Sequence, residues 1–121
     1  MKCNVKEKTV PFEFDGKTFQ LKFNLNVIAE IQEKYEDLDS FFEKIAKVGD
    51  MLWLLCLLIN QDVKKHNKSS TEKWEYYTVE QIGEVFGISD IKTLSSLIAD
   101  AVMNAMPSKD TEENEKNATA E

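Results

Sequence analysis

The sequence predicts a mainly α-helical α+β protein, with an N-terminal β-hairpin, about five helices and a disordered C-terminal tail. Three observations support this fold class. An Asp15-Gly16 turn separates two short alternating segments, apolar residues then recur at helical spacing, and the last fifteen residues contain no large apolar side chain. We therefore expect one globular domain over residues 1–106, with the hairpin at 9–23, the helical body at 25–106, and an acidic tail at 107–121.

The hairpin is predicted from its turn chemistry. Asp-Gly is a strong signal for a two-residue turn in which both residues have positive φ. Three cross-strand pairs follow from this turn: Phe14 with Lys17, Phe12 with Phe19, and Val10 with Leu21. The register gathers the apolar side chains on one face and puts Pro11 at a position that gives no hydrogen bond to the ladder. Two strands alone are marginal, so this face must cover helices.

The first three helices are predicted from apolar spacing and end signals. Asn24 or Asn26 caps the first helix, and a capping box at residues 40–43 opens a short second helix that Gly49-Asp50 ends. The third helix, from Met51 to about Gln61, is apolar nearly all round, which indicates a central position or an interface. The inward side chains are expected to be Val27, Ile28, Ile31 and Tyr35 in the first helix and Phe41, Phe42, Ile45 and Val48 in the second.

The segment Asp62–Tyr77 is polar and lysine-rich, and it is predicted to be a loop. A second capping box at residues 78–81 opens the fourth helix, and Gly87 follows its end as a C′ residue. Ser89 or Asp90 caps the fifth helix, which Pro107 stops. The inward side chains are expected to be Val79, Ile82, Val85 and Phe86 in the fourth helix and Ile91, Leu94, Ile98, Ala101 and Ala105 in the fifth.

The composition argues against several functional classes. The 121 residues have a net charge of −7, and every basic residue other than the single histidine is lysine. Arginine is the side chain best suited to gripping phosphate and guanine, so an acidic chain without it is a poor candidate for nucleic-acid binding. Cys3 and Cys56 form neither a disulfide scaffold nor a metal motif, and Cys56 lies in an apolar run. With no visible signal peptide and no membrane-length apolar run, we expect a cytoplasmic protein without membrane contact.

No catalytic, cofactor or metal site is expected from the residue pattern. His66 is the only histidine, and it stands among lysines with no Cys, Asp or Glu partner at metal-ligand spacing. The four glycines are scattered, so no phosphate-binding loop is present. We therefore expect a protein that is not an enzyme and that needs no cofactor.

Residues 78–98 also fit the pattern of a helix-turn-helix, in which a capped helix and a glycine turn precede a recognition helix. The second helix offers Lys92 and an acid at its start, but no arginine, asparagine or glutamine for base edges. Few phosphate contacts imply weak affinity. A small DNA-binding regulator is thus the alternative from a different functional class.

Four aromatic residues are candidates for partner binding. Trp74, Tyr76 and Tyr77 lie in the predicted polar loop, and Trp53 lies in the apolar third helix. Aromatic side chains anchor many interfaces. The three loop residues have a second interpretation, in which they pin the loop to the body of the protein.

Five motifs follow one another along the chain. They are the Asp15-Gly16-Lys17 turn, the phrase Leu21–Asn26, the acidic-rich helix end Glu30–Tyr35, the Leu/Trp-rich stretch Asp50–Leu55 and the T-x-E-Q-I-G-E segment Thr78–Glu84. Their order resembles that of the small tail assembly chaperones of long-tailed phages and prophages. The resemblance covers roughly Val10 to Met106, and the long Asp62–Tyr77 segment departs from it.

The resemblance implies a non-enzymatic protein that binds the long, hydrophobic, helical tape measure protein in the host bacterial cytoplasm before the tail tube polymerises. It also implies recruitment of the tail tube protein, self-association in some members, and absence from the mature virion. Many members have a longer, frameshifted form, whose junction would lie in the tail from Pro107. A structural tail-completion protein is the remaining alternative.

Overall fold

The architecture is a β-hairpin packed against helices that surround one long helix. The structure is a computed structural model, and it describes residues 9–105. The elements within this range are β1 (Val10–Phe14), β2 (Lys17–Leu21), α1 (Leu25–Tyr35), α2 (Leu38–Lys44), α3 (Val48–Ser69), α4 (Val79–Val85), a 3-10 turn (Ile88–Asp90) and α5 (Ile91–Ala105). This order confirms the predicted α+β class with an N-terminal hairpin and five helices. The predicted disordered tail at 107–121 lies outside the described residues.

The hairpin has the predicted turn and the predicted register. Asp15 and Gly16 have φ values of 57° and 72°, as a two-residue hairpin turn requires. The antiparallel pairing joins Phe14 to Lys17, Phe12 to Phe19 and Val10 to Leu21. The apolar face is turned inward, with Phe19 and Leu21 fully buried, whereas Pro11 and Glu13 on the opposite face are exposed.

The two outer edges of the hairpin differ. β2 lies against α3, where the Gln20 N–H donates to the Asp62 carboxylate at 3.0 Å. On β1 the backbone groups of Pro11 and Glu13 face outward, and Pro11 has no N–H. The outer edge of β1 therefore offers one backbone donor over this stretch, which makes it a poor template for an added strand.

The long helix α3 is the centre of the fold. It has 22 residues and packs against β2, α4 and α5. Its inward side chains are buried: Met51, Leu54, Leu55, Cys56, Leu58, Ile59 and Val63. Within residues 9–105, no helix combines the length and the apolar character that crossing a membrane requires.

The predicted boundary between α2 and α3 is wrong. α2 begins at Leu38, one turn earlier than expected, because the Asp37 carboxylate accepts the Ser40 N–H at 2.7 Å and caps the helix. Gly49 does not separate two helices, because it lies in the first turn of α3. Backbone N–H groups in a first turn have no partner within the helix in any case, so a glycine there does not end the helix. Val48 consequently starts α3 and is 43% exposed instead of inward.

The predicted loop at Asp62–Tyr77 is wrong in its first half, because α3 continues to Ser69. Val63 is fully buried, which fixes this polar stretch to the core. The Lys73 ammonium donates to the carbonyls of Asn67 and Ser70, and so satisfies acceptors that the end of the helix leaves free.

The predicted capping box of α4 is present. The Thr78 hydroxyl accepts the Gln81 N–H at 3.1 Å, and the Gln81 side chain accepts the Thr78 N–H at 2.8 Å. Of the side chains expected to point inward, Ile82 is fully buried but Val85 is 62% exposed, since α4 ends there. Gly87 follows the C-cap Phe86 with φ −112°, an extended conformation and not a left-handed one.

A 3-10 turn replaces the predicted cap of α5. The Asp90 carboxylate accepts the Gly87 N–H at 2.9 Å, and the turn at 88–90 runs directly into the helix. Neither Ser89 nor Asp90 therefore acts as an ordinary cap of α5. The predicted stripe is otherwise observed: Leu94, Ile98 and Ala101 are buried and Ile91 is half-buried, while Ala105 is exposed.

The turn glycine is expected to matter more than a helical glycine. We predict that Gly16→Ala lowers the free energy of unfolding by about 1 kcal/mol, because an L side chain is strained at φ 72° even though a new Cβ would have open space. Gly49→Ala is the matched control, since its Cβ also meets nothing and its φ is not positive. It should be neutral or slightly stabilising. Urea unfolding of both variants tests this, and equal losses would contradict it.

Candidate functional site

The loop aromatics form a strap over the hairpin, which we define as residues 74–77. Trp74 stacks on His66, with ring centroids 3.6 Å apart and planes inclined by 8°, and it meets Phe19 edge-on at 5.4 Å. The Lys17 ammonium lies 5.7 Å from the centre of the Trp74 ring, within reach of a cation–π interaction. Trp74 is thus enclosed on several sides by its own chain.

Tyr77 closes the other end of the strap. Its ring makes edge contacts with Phe14 at 5.2 Å and Phe19 at 6.0 Å. Its hydroxyl donates to the Asp15 carboxylate at 2.7 Å, which ties the strap to the hairpin turn. The sequence predicts these aromatic side chains as candidates, but their partners in the hairpin are 55 to 63 residues away in the chain and give no local signal.

Two asparagines on α3 hold the backbone of the strap. The Asn60 side chain accepts the Tyr77 N–H at 2.9 Å and donates to the Tyr77 carbonyl at 2.8 Å. Asn67 makes the same pair of bonds to Trp74, at 2.8 and 3.0 Å. Seven helical residues rise about 10.5 Å, and three extended residues span about 10 Å. The spacing of the asparagines therefore matches the strap, which runs antiparallel to α3.

Electrostatics reinforce the junction between strap and turn. The Tyr77 hydroxyl, and then the Lys17 ammonium, hold the pKa of Asp15 below its usual value. Burial, and then the same hydrogen bond to Asp15, raise the pKa of Tyr77. A carboxyl whose pKa is lowered by folding stabilises the fold above its unfolded pKa, and this contribution is lost as the pH falls through the folded pKa.

The four aromatic candidates do not form one site. Trp74 and Tyr77 are pinned to the hairpin, which favours the second interpretation for them. Trp53 is distant from both and makes edge contacts with Tyr35 at 5.5 Å and Phe41 at 6.2 Å. Tyr76 is the one of the four that is largely exposed, at 56%. A partner-binding role stays a prediction for each of the four.

The helical half of the molecule, which comprises α2, the start of α3, α4, the 3-10 turn and α5, contains an open apolar groove that the sequence does not predict. It lies between α2, the start of α3 and α5, and its volume is about 390 Å³. Ser95 is the one polar residue among the nine that line it. The lining residues, which we call the apolar groove, are Phe42, Ile45, Ala46, Met51, Ser95, Ile98, Ala99, Val102 and Met103.

The groove is open because its walls are short or small. α2 has seven residues, and α5 presents Ser95 and Ala99 where larger side chains would close the space. Met103 stands at the rim with 70% of its surface exposed. A thioether on a flexible chain can adapt to differently shaped apolar partners. Met103, which lies outside the predicted apolar stripe of α5, was a sequence signal for this surface. The depth of the groove cannot be read from the sequence, because it depends on how closely α2 and α5 approach each other.

A second apolar pocket, of about 300 Å³, adjoins Met51 on the side of α4. Ile88 on the 3-10 turn lines it and is 88% exposed, and Val48 at its margin is 43% exposed. Large apolar side chains in contact with water beside a cleft mark interaction surfaces. Both pockets belong to the same helical half of the molecule.

The described residues include no candidate metal site. Within residues 9–105, no three His, Cys, Asp or Glu side chains are grouped to hold a metal ion, and none of the fully buried residues is polar or charged. Burial raises the pKa of the Cys56 thiol, so it is a poor nucleophile. His66 uses its Nε2 on the Glu72 carbonyl and its ring on Trp74.

The segment that the helix-turn-helix alternative would use is acidic. Helices α4 and α5 and the turn between them carry Glu80, Glu84 and Asp90 against Lys92 over residues 78–98. A surface of that sign repels the phosphate backbone. The lysine-rich pocket lies elsewhere, along the end of α3, where Lys64, Lys65 and Lys68 line a cavity that also contains Asp62.

Removing one asparagine clamp should release the strap. Asn60→Ala leaves the Tyr77 N–H without its side-chain partner and leaves the Tyr77 carbonyl with only the weak donor of the Cys56 thiol at 3.3 Å, and we expect a loss of about 2 kcal/mol in the free energy of unfolding. Asn26→Ala, an exposed asparagine of α1, is the control and should change it by less than about 0.5 kcal/mol. Thermal unfolding measures both. Equal effects would show that the clamp does not hold the strap.

The fold and the apolar groove are the structural basis for a functional hypothesis. No protein-family model, no curated protein and no solved structure matches this chain.

Proposed function

We propose that this protein is a tail assembly chaperone of a phage or prophage, which binds the tape measure protein and keeps it soluble until the tail tube forms. The observation that supports the proposal is the apolar groove, an open cleft of about 390 Å³ lined almost entirely by apolar side chains. The family resemblance of the motif order supplies the identity of the partner.

The lining of the groove suits the apolar stripe of a helix. An amphipathic helix presents apolar side chains at positions i, i+3, i+4 and i+7, and such a stripe docks into apolar grooves between helices. The small side chains of Ser95 and Ala99 leave room for a partner's side chains, and Met103 can fold over them. A long helical protein with exposed apolar stripes is therefore a suitable occupant.

The hairpin half supports the proposal in a different way. The strap and its asparagine clamps satisfy the polar groups there and cover the rings of Trp74 and Tyr77. Among the described residues, four of the six exposed large apolar side chains lie in the helical half: Val48, Val85, Ile88 and Met103. Apolar binding capacity is concentrated in the helical half. A chaperone of this kind acts by lending a surface, needs no catalytic group, works in the host cytoplasm and does not remain in the finished particle.

The proposal predicts that a groove variant loses the partner. When the full chain is co-expressed with the tape measure protein of the same genome, the two should co-purify, and the tape measure protein should become soluble. Met103→Glu places a charge at the exposed rim of the groove. We expect it to reduce the co-purified tape measure protein at least about tenfold, because desolvating a carboxylate opposes helix docking.

Leu25→Glu is the matched control, since Leu25 is an apolar side chain that is 80% exposed and lies on α1, outside the groove. It should leave co-purification unchanged. Thermal unfolding should place both variants within about 0.5 kcal/mol of the parent, as for other surface changes. A tape measure protein that stays insoluble and does not co-purify with the parent chain would contradict the proposal.

A further inference from the structure

The charge of this protein is divided unevenly between its two halves. Residues 36–50 and 78–105, which carry both apolar pockets, hold nine acidic residues and three lysines. The rest of the described chain holds seven of each. The formal charge of the described residues, −6, is therefore located entirely on the segments that line the apolar groove and the second apolar pocket.

The acidic side chains of these segments have no lysine partner among the described residues. Within residues 9–105, none of the nine forms an ion pair; the ion pair of Lys17 with Asp15 belongs to the neutral half. On α2, Asp39 lies one turn before the groove residue Phe42 on the same helix face, and Glu43 lies one turn after Asp39. Both carboxylates are exposed. Lys44 and Lys47, which neighbour the groove residues Ile45 and Ala46, are also exposed. The rim therefore contains charges of both signs, and its acidic character comes from the excess of carboxylates on the surrounding segments.

We propose that the occupant of the groove is an amphipathic helix with lysine or arginine side chains flanking its apolar stripe. This inference rests on the proposed function and names the chemistry of the partner segment. Apolar burial in the groove provides the affinity, and the acidic rim selects basic flanks and repels acidic ones. The tail of this chain is excluded as occupant by its own composition, since residues 107–121 are acidic and contain no large apolar side chain.

The orientation of the partner follows from the same features. Its leucine-like side chains enter between α2 and α5, where Met51 forms the floor, and its basic residues lie over the exposed side of α2. Carboxylates at such a rim act at a distance of about 8–10 Å at ordinary ionic strength. The interaction with basic flanks is consequently sensitive to salt, whereas apolar insertion is not.

Two designed peptides test the inference on the full chain. Both are helices of about 18 residues with leucines at i, i+3, i+4 and i+7, one with lysine flanks and the other with glutamate flanks. Fluorescence anisotropy should show the lysine peptide binding at least about tenfold more tightly, with the preference reduced in high salt. Equal affinities, or no binding of the lysine peptide, would overturn the inference.

Charge-reversal variants locate the preference. The double variant Asp39→Lys and Glu43→Lys should reduce the preference for the lysine peptide by about tenfold. The double variant Glu72→Lys and Glu75→Lys makes the same charge change at exposed positions of the neutral half, and it should alter the preference by less than about twofold. An equal effect of the two double variants would overturn the inference, because the rim would then have no special role.

The other occupants give distinct results. If a second copy fills the groove, sedimentation velocity will show an oligomer that Met103→Glu converts to a monomer, and the inference fails. If the tail fills it, deletion of residues 107–121 will raise the affinity for the lysine peptide, and the inference fails.

Solubilisation of the tape measure protein without discrimination between the two peptides would overturn this inference alone. Discrimination without co-purification of the tape measure protein would overturn the proposed function alone.

Discussion

The rest of the structure depends on one constraint: α3 is apolar around most of its circumference and must be covered on several sides. Seven of its side chains are buried, and each contributes about 2 kcal/mol relative to exposure. The hairpin contacts α3 near Asp62, while α4 and α5 contact it near Leu52 and Met51. The cover is complete at the hairpin, where the strap seals the edge. It is incomplete between α2 and α5, where the apolar groove remains.

Local chemistry explains which parts of the fold the sequence predicts well. The hairpin register follows from the Asp15-Gly16 turn and from side-chain alternation, and both signals act within a few residues. The sequence predicts the start of α2 one turn late because Asp37 and Ser40 both have cap chemistry, and the choice between them depends on the burial of Leu38 and Phe41. The end of α3 was missed because its last turns are polar. They are stabilised by bonds to residues that follow the helix.

The candidate site was harder to predict because its features depend on distance in the folded chain. The aromatic character of Trp74 and Tyr77 was evident, but only the folded structure shows that their partners are the hairpin and two asparagines of α3. The groove has no linear motif at all, since it depends on the separation of two helices about fifty residues apart. The uneven charge can be counted from the sequence. Only the folded structure shows that the acidic segments are the ones that line the apolar pockets.

The central claim is that the helical half of the molecule binds a partner while the hairpin half is closed by its own strap. The most direct measurement is methyl NMR of the full chain during titration with a helical segment of the tape measure protein. The account predicts that the largest shifts occur at Met103 and Val102 in the groove, with little change at Leu21 and Val63 under the hairpin. The largest shifts at Leu21 and Val63, with unchanged groove methyls, would contradict it.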